Sequence, residues 1–114
     1  MELIEHLQGT VKVVKVDGRI DQASANTFQE KLAPWLTVCK AGEAPVVLDF
    51  SGVEYISSVG LRVLMLAAKQ VKLQQGRIVI AALTPVVTEV FQVSRFNMVF
   101  QVHPTVDAAV AALG

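Results

Sequence analysis

Short apolar runs rich in β-branched residues alternate along this sequence with longer segments whose apolar residues recur every three or four positions. Runs of the first kind predict strands, and segments of the second kind predict amphipathic helices. Five strands are predicted, at residues 2–7, 10–17, 46–50, 77–82 and 98–102. Four helices are predicted, at about 23–37 and 58–73, after Thr84-Pro85 and after Thr105. The first has Ala25, Phe28, Leu32 and Leu36 on one face, and Pro34 is expected to bend or fray its last turn.

The order of these elements is β-β-α-β-α-β-α-β-α. A strand, a helix and a second strand in succession imply a parallel pair joined by a right-handed crossover. The first two strands are separated by Gln8-Gly9, a turn signal, so they are expected to pair antiparallel. The third strand, Val46–Phe50, is a short and mostly apolar run, and Ser51–Ile56 is interpreted as a loop that leads to the second helix. The sequence therefore predicts an α/β fold with a mixed, mostly parallel β-sheet packed with about four α-helices.

The length and charge of the chain exclude several classes of protein. Its 114 residues correspond to one domain, residues 1–114. Ten basic residues balance ten acidic ones, which argues against direct nucleic-acid binding and against a polybasic membrane-surface protein. The zero net charge leaves little self-repulsion, so weak homo-oligomerisation is compatible with the composition.

The cellular location is predicted from three further observations. No apolar run approaches the ~20 residues of a membrane span. The residues Met1–Glu5 do not resemble the start of a secretory signal. The single cysteine, Cys39, excludes an intramolecular disulfide and fits a reducing compartment. We therefore expect a cytoplasmic protein without a membrane span.

Motifs for catalysis and for cofactor binding are missing from the sequence. His6 and His103 have no metal-ligand spacing around them, and a single cysteine excludes zinc sites built on cysteine pairs. The sequence contains no P-loop, dinucleotide fingerprint or nucleophile elbow. We therefore expect a binding protein rather than an enzyme, with no catalytic residue, cofactor or metal.

Two adjacent serines, Ser57 and Ser58, stand at the start of the second predicted helix. One interpretation is structural, because a serine hydroxyl that caps a helix contributes ~1 kcal/mol. The other is functional, because a helix N-terminus favours an anion and would tolerate a phosphate on a serine there. Arg62, one turn further on, is either a solvated arginine or a partner for that phosphate.

The second predicted helix is apolar on more than one side. Its inward stripe is expected to be Leu61, Leu64, Met65 and Ala68. The opposite side carries Val59, Val63, Leu66 and Leu73, mixed with Arg62, Lys69 and Gln70. A helix that lies on a sheet should be polar outward, so a neighbouring helix covers this side or a partner docks on it.

The segment around these serines has the sequence Asp49-Phe50-Ser51-Gly52-Val53-Glu54-Tyr55-Ile56-Ser57-Ser58-Val59-Gly60-Leu61. It resembles the signature of the STAS domain, the family of anti-sigma factor antagonists. The family pattern is D-[apolar]-S-G-V-x-[aromatic]-[apolar]-D-S-[S/T]-G-L. Four other segments also resemble the family: Gly18-Arg19-Ile20-Asp21, Gly76-Arg77-Ile78-Val79-Ile80, Thr84-Pro85-Val86-Val87 and Thr105-Val106-Asp107-Ala108-Ala109. The resemblance covers essentially the whole chain and implies a single STAS-like domain.

The resemblance implies a switch operated by phosphorylation. In this family the unphosphorylated antagonist binds an anti-sigma factor with serine kinase activity and thereby frees the sigma factor. The kinase then phosphorylates the antagonist with ATP and releases it, and a metal-dependent serine phosphatase restores the unmodified form. The family phosphoacceptor corresponds to Ser58, and the aspartate beside its loop corresponds to Asp21.

Two positions depart from the family pattern, because Ser57 replaces the motif aspartate and Val59 replaces a serine or threonine. Ser57 is therefore kept as a second-choice acceptor. The residues expected to contact the partner are Asp21, Ser57, Val59, Gly60, Arg62, Val63 and Leu66. An alternative function is that of a STAS subunit in a lipid-transport or anion-transporter system.

Overall fold

The computed structural model describes residues 1–114. The strands are β1 (Glu2–Gln8), β2 (Val11–Ile20), β3 (Val46–Ile56), β4 (Ile78–Ala81) and β5 (Val102–His103). The helices are α1 (Ala25–Val38), α2 (Ser58–Leu73), α3 (Pro85–Val93) and α4 (Val106–Leu113), with a 3-10 turn at Phe96–Met98. The sheet order is β1-β2-β3-β4-β5, and only β1 runs antiparallel to its neighbour. The predicted α/β fold is confirmed.

The helices divide between the two faces of the sheet. Residues of α1, α2 and α3 form one core cluster with one face, and α4 packs on the other face. Successive residues of a strand point to opposite faces, so Val14 and Val16 of β2 join the larger cluster while Val11 and Val13 join the smaller one. The central strand β3 is covered on both sides, and its first residues, Val46–Leu48, are fully buried as predicted.

The strand β3 is longer than the sequence predicted. The segment interpreted as a loop, Ser51–Ile56, continues the strand and pairs with the end of β2. The register shifts twice along this pair, which disturbs the period of two by which a strand is recognised in a sequence. The extension brings Ile56 beside Ile20, immediately before α2 begins.

The predicted strand at residues 98–102 is wrong for most of its length. Phe96–Met98 form a 3-10 turn, and β5 contains only Val102 and His103. The rings of Phe91 and Phe96 meet edge to face at 5.3 Å, and Phe96 stacks on Phe100 at 6.1 Å. Phe96 and Phe100, both buried, are four residues apart and lie close together on a helical turn, whereas a strand would separate them by ~13 Å. Core packing therefore favours the turn.

The helices largely match their predicted positions. The predicted stripe of α1, with Ala25, Phe28, Leu32 and Leu36, is buried. Pro34 was expected to bend or fray the last turn, yet α1 continues to Val38. Pro34 is exposed, so water can reach the carbonyl that loses its helical donor. None of the helices has the length and apolarity that crossing a membrane requires.

Candidate partner-binding site

Ser57 and Ser58 lie at the junction where β3 ends and α2 begins. Ser57 has an extended backbone, and its Oγ accepts a hydrogen bond from the Gly60 N–H at 3.2 Å. The Ser57 N–H donates to the Ile20 carbonyl at 2.8 Å, which ties the junction to the end of β2. Ser57 is therefore the helix cap.

Ser58 is the first residue of α2 and is exposed. Its hydroxyl makes no hydrogen bond within the chain. The first N–H groups of a helix have no intrahelical partner and carry partial positive charge. The Ser58 hydroxyl is thus both accessible and close to a position that favours an anion.

Gly60 is buried and has a structural role in this junction. A Cβ atom there would lie 2.6 Å from Cγ2 of Ile20 and 2.7 Å from Cγ1 of Ile56. The first turn of α2 can approach the ends of β2 and β3 only because this position lacks a side chain. Gly60 was predicted to contact a partner, but its burial places it inside the protein.

The predicted division of α2 into an inward and an outward side needs correction. The buried residues are Gly60, Val63, Leu64, Ala67 and Val71. Val63, predicted on the outward side, is only 7% exposed, and Met65, predicted inward, is 40% exposed. The reason is that α1 packs beside α2, so the core faces a stripe that begins at Gly60 rather than at Leu61.

The outer side of α2 is a continuous stripe at helical spacing. We call it the α2 stripe, and it consists of Val59, Arg62, Leu66, Lys69 and Leu73. No neighbouring helix covers it, since all five residues are exposed. Three apolar side chains exposed together on one helix face make this stripe a candidate docking surface.

A groove of about 330 Å³ runs between the start of α2 and α3. Its lining residues are Tyr55, Ile56, Ser58, Leu61, Val86, Glu89, Val90, Val93 and Ser94. Val86 is 52% exposed and Val93 is 81% exposed. This groove was not predicted from the sequence, although Val86, Val90 and Val93 are spaced as a second apolar stripe on α3. Ser58 therefore lies between two partly apolar surfaces, the groove and the α2 stripe.

Asp21 is held near the junction by a local hydrogen-bond network. Its carboxylate accepts hydrogen bonds from the N–H and the Oγ of Ser24, each at 3.1 Å. These hydrogen bonds, first the backbone one and then the hydroxyl, lower the pKa of Asp21 from its usual 3.8, and Arg19 adds a smaller effect. Asp21 is therefore an anion at neutral pH. It follows Ile20, whose carbonyl binds Ser57.

Arg19 and Tyr55 complete this part of the surface, and sequence analysis did not assign them a role. The two residues are paired in the register of β2 and β3, and the Arg19 guanidinium lies 4.9 Å from the centre of the Tyr55 ring. Arg19 Nε is 3.9 Å from Asp21 Oδ2, the only ion pair in the chain. Tyr55 also lines the groove, so it connects the Asp21 network to Ser58.

Arg62 is exposed and has no carboxylate within ion-pairing distance. It lies four positions after Ser58 on α2, and residues at that spacing are neighbours on a helix surface. The groove carries one acidic residue, Glu89, on its α3 side. A negative group on Ser58 would therefore have an available cation on α2 and a carboxylate on the far side of the groove.

Comparison with known proteins identifies the family. The STAS domain pattern matches residues 4–109. The chain belongs to the STAS domain family. The match covers β2, β3 and α2 together, so the segment that carries Ser57 and Ser58 lies within the family's domain.

Individual relatives agree with this assignment. The chain is 41% identical over 97 residues to BtrV of Bordetella bronchiseptica, a protein named as an anti-sigma factor antagonist; the match covers 85% of this chain and 81% of BtrV. A STAS-like fold is also seen in an anti-sigma factor antagonist from Mycobacterium paratuberculosis, with a TM-score of 0.85, 24% identity and coverage of 98% and 92%. The phosphorylated form of the Bacillus cell fate determinant SpoIIAA has a TM-score of 0.67, 15% identity and coverage of 99% and 100%.

Proposed function

We propose that this protein is an anti-sigma factor antagonist whose binding is switched off by phosphorylation of Ser58. In its unmodified form it binds an anti-sigma factor that is also a serine kinase, and this binding frees the sigma factor. The kinase transfers the γ-phosphoryl group of ATP to the Ser58 hydroxyl oxygen, which loses its proton, and ADP leaves. A metal-dependent serine phosphatase restores the hydroxyl by hydrolysis.

The proposal rests on the different roles of the two serines, Ser57 and Ser58. Ser57 is half-buried and its Oγ caps α2, whereas Ser58 is exposed and its hydroxyl makes no hydrogen bond. A kinase can reach the second hydroxyl without disturbing the first. Phosphorylation of Ser58 therefore leaves the helix cap in place.

The local electrostatics support a phosphate at this position. A phosphoserine carries a charge of about −1.5 to −2 at neutral pH. The start of α2 offers free N–H groups and the positive end of the helix dipole. Arg62, which has no carboxylate partner, lies one turn away. The domain can accept the charge without refolding.

The same charge opposes partner binding. Ser58 lies between the α2 stripe and the groove, both of which expose apolar side chains. A partner that covers these surfaces also removes water from Ser58. Burying an incompletely paired dianion costs several kcal/mol, and each 1.4 kcal/mol weakens binding tenfold.

The replacement of the motif aspartate by Ser57 fits this mechanism. Serine and aspartate are comparably good helix caps, so the backbone conformation before Ser58 does not need the acid. What is lost is a negative charge next to the acceptor. We infer that the kinase of this protein does not require that charge and that Asp21, ionised nearby, remains the acidic group at the junction.

Phosphorylation of matched variants tests the proposal. The unmodified chain serves as bait for its kinase, and the purified kinase is then incubated with ATP and with wild type, Ser57→Ala or Ser58→Ala. We expect mass spectrometry to place one phosphate on Ser58 in wild type and in Ser57→Ala, and none in Ser58→Ala. Phosphate on Ser57 alone would contradict the assignment of the acceptor. A chain that binds no kinase and shows no gel shift would favour the transporter-subunit function instead.

A further inference from the structure

A second cavity of the protein lies at the opposite end of α2 from Ser58. Its volume is about 680 Å³, and it is formed by the second half of α2, the turn into β4, residues 98–101 and Leu113. With 16 residues, α2 is about 24 Å long. The cavity is therefore separate from the groove beside Ser58 and shares no lining residue with it.

The floor of the cavity is apolar and rigidly packed. Val71, Val79, Phe100 and Leu113 line it and are buried, and they come from both core clusters. Nine of the fifteen lining residues are hydrophobic. Volumes of about 300–1,000 Å³ with a mainly apolar lining and a few polar groups are typical of small-molecule sites.

The polar groups at the edge of this cavity include three cations and no carboxylate. The cations are Lys69, Lys72 and Arg77. None of them forms an ion pair, although the whole chain has as many acidic as basic residues. Lys69 and Lys72 are three positions apart on α2, so their charges repel each other. An anion bound between them would relieve that repulsion.

Arg77 is fixed at the edge by α4. Its Nη2 donates a hydrogen bond to the Leu113 carbonyl at 3.0 Å. A guanidinium has five N–H donors, so others remain for a second acceptor. The site thus offers one positioned donor and two exposed ammonium groups beside an apolar floor.

We propose that this cavity binds a single-chain amphiphile with an anionic head, of which a medium-chain fatty acid is the simplest example. The chain lies on the apolar floor, and the carboxylate is held by Lys69, Lys72 and Arg77. A nucleotide fits less well, because the only aromatic ring in the lining belongs to Phe100, which is buried and already stacks on Phe96. The site does not include Ser58 and does not depend on the proposed phosphorylation.

Titrations monitored by NMR of the full chain test the ligand class, with each probe below its micelle concentration. Dodecanoate is expected to shift resonances of Ala68, Ile78 and Met98 in a saturable way. Octanoate should bind more weakly, by up to about fourfold for each methylene removed from the buried chain. Dodecyltrimethylammonium, with the same chain and a cationic head, should bind at least tenfold more weakly than dodecanoate.

Paired lysine variants test the role of the charges. The double variant Lys69→Gln with Lys72→Gln should lose about three- to tenfold in dodecanoate affinity, as expected for two solvent-exposed charge contacts. The control, Lys15→Gln with Lys40→Gln, changes two exposed lysines outside the cavity and should bind like wild type.

Four results of the titrations would overturn the proposal. These are the absence of saturable shifts at the cavity, equal affinity for the two head groups, shifts centred on the groove beside Ser58, and ATP binding at the cavity residues in place of dodecanoate. Co-sedimentation with phosphatidylglycerol vesicles in the absence of dodecanoate binding would also contradict it, because the site would then recognise a membrane surface.

Discussion

At the scale of single residues, the two adjacent serines differ in how much they stabilise the fold. The Ser57 hydroxyl caps α2, while the Ser58 hydroxyl makes no hydrogen bond. We expect Ser57→Ala to lower the free energy of unfolding by about 1 kcal/mol and Ser58→Ala to change it by less than about 0.5 kcal/mol. Urea denaturation of the two variants beside wild type measures this. Equal losses would show that Ser58 also supports the helix start.

The ionisation of Asp21 predicts a dependence of stability on pH. Hydrogen bonds from Ser24 lower the pKa of Asp21 in the folded state below its ordinary value of 3.8. Its stabilising contribution is therefore fully present above that value and is lost as the pH falls through the folded pKa. The difference in unfolding free energy between wild type and Asp21→Asn should be constant from pH 7 to about pH 5 and shrink below pH ~4. A difference that grows on acidification would contradict this.

At the scale of the elements, α2 has one buried and one exposed apolar face. Substitutions at Val63 and Leu66 distinguish the two faces. Val63 is 7% exposed and Leu66 is 47% exposed. We expect Val63→Ala to destabilise the fold by about 2 kcal/mol, because it leaves a cavity in the larger core cluster. Leu66→Ala should leave the free energy of unfolding within about 0.5 kcal/mol but weaken kinase binding. Thermal unfolding measures the change in stability, and a binding titration measures the change in kinase affinity. Unchanged kinase binding by Leu66→Ala would show that the α2 stripe is not part of the interface.

The elements that the sequence predicted well are those with an undisturbed pattern. The stripe of α1 from Ala25 to Leu36 is regular, and it was predicted correctly. The α2 faces were assigned one residue out of phase, because a glycine does not contribute to an apolar pattern, although Gly60 is the first residue of the buried stripe. The groove and the Arg19–Tyr55 contact were missed because they depend on how α3 lies beside α2 and on the irregular register of β2 and β3. The relative positions of helices and the register of strands depend on tertiary packing, which cannot be read from a single sequence.

At the scale of the whole molecule, the surface of the proposed switch is separate from the core, so the surface can change without the core. The Ser58 surface lies at the carboxyl ends of β2 and β3, where helices begin. The strands themselves are buried from Val46 to Leu48 and from Val79 to Ala81. A charge added to the exposed first turn of α2 is therefore surrounded by solvent, free N–H groups and Arg62, and it lies outside the core. This arrangement favours a local switch over a change of fold.

The final prediction is that phosphorylation of Ser58 weakens kinase binding by two or more powers of ten while the sheet stays unchanged. Several kcal/mol of desolvation cost at Ser58 corresponds to a loss of that size. Chemical-shift mapping of the phosphorylated and unmodified proteins should show changes confined to residues 55–60, to Arg62 and to the adjoining groove on α3. A phosphorylated sample of Ser57→Ala provides the control, since it carries the same charge without the helix cap and should show shifts that spread further along α2. Shifts throughout Val46–Leu48 or Ile78–Ile80 in the wild-type protein, or similar affinities of the two forms for the kinase, would exclude the local mechanism.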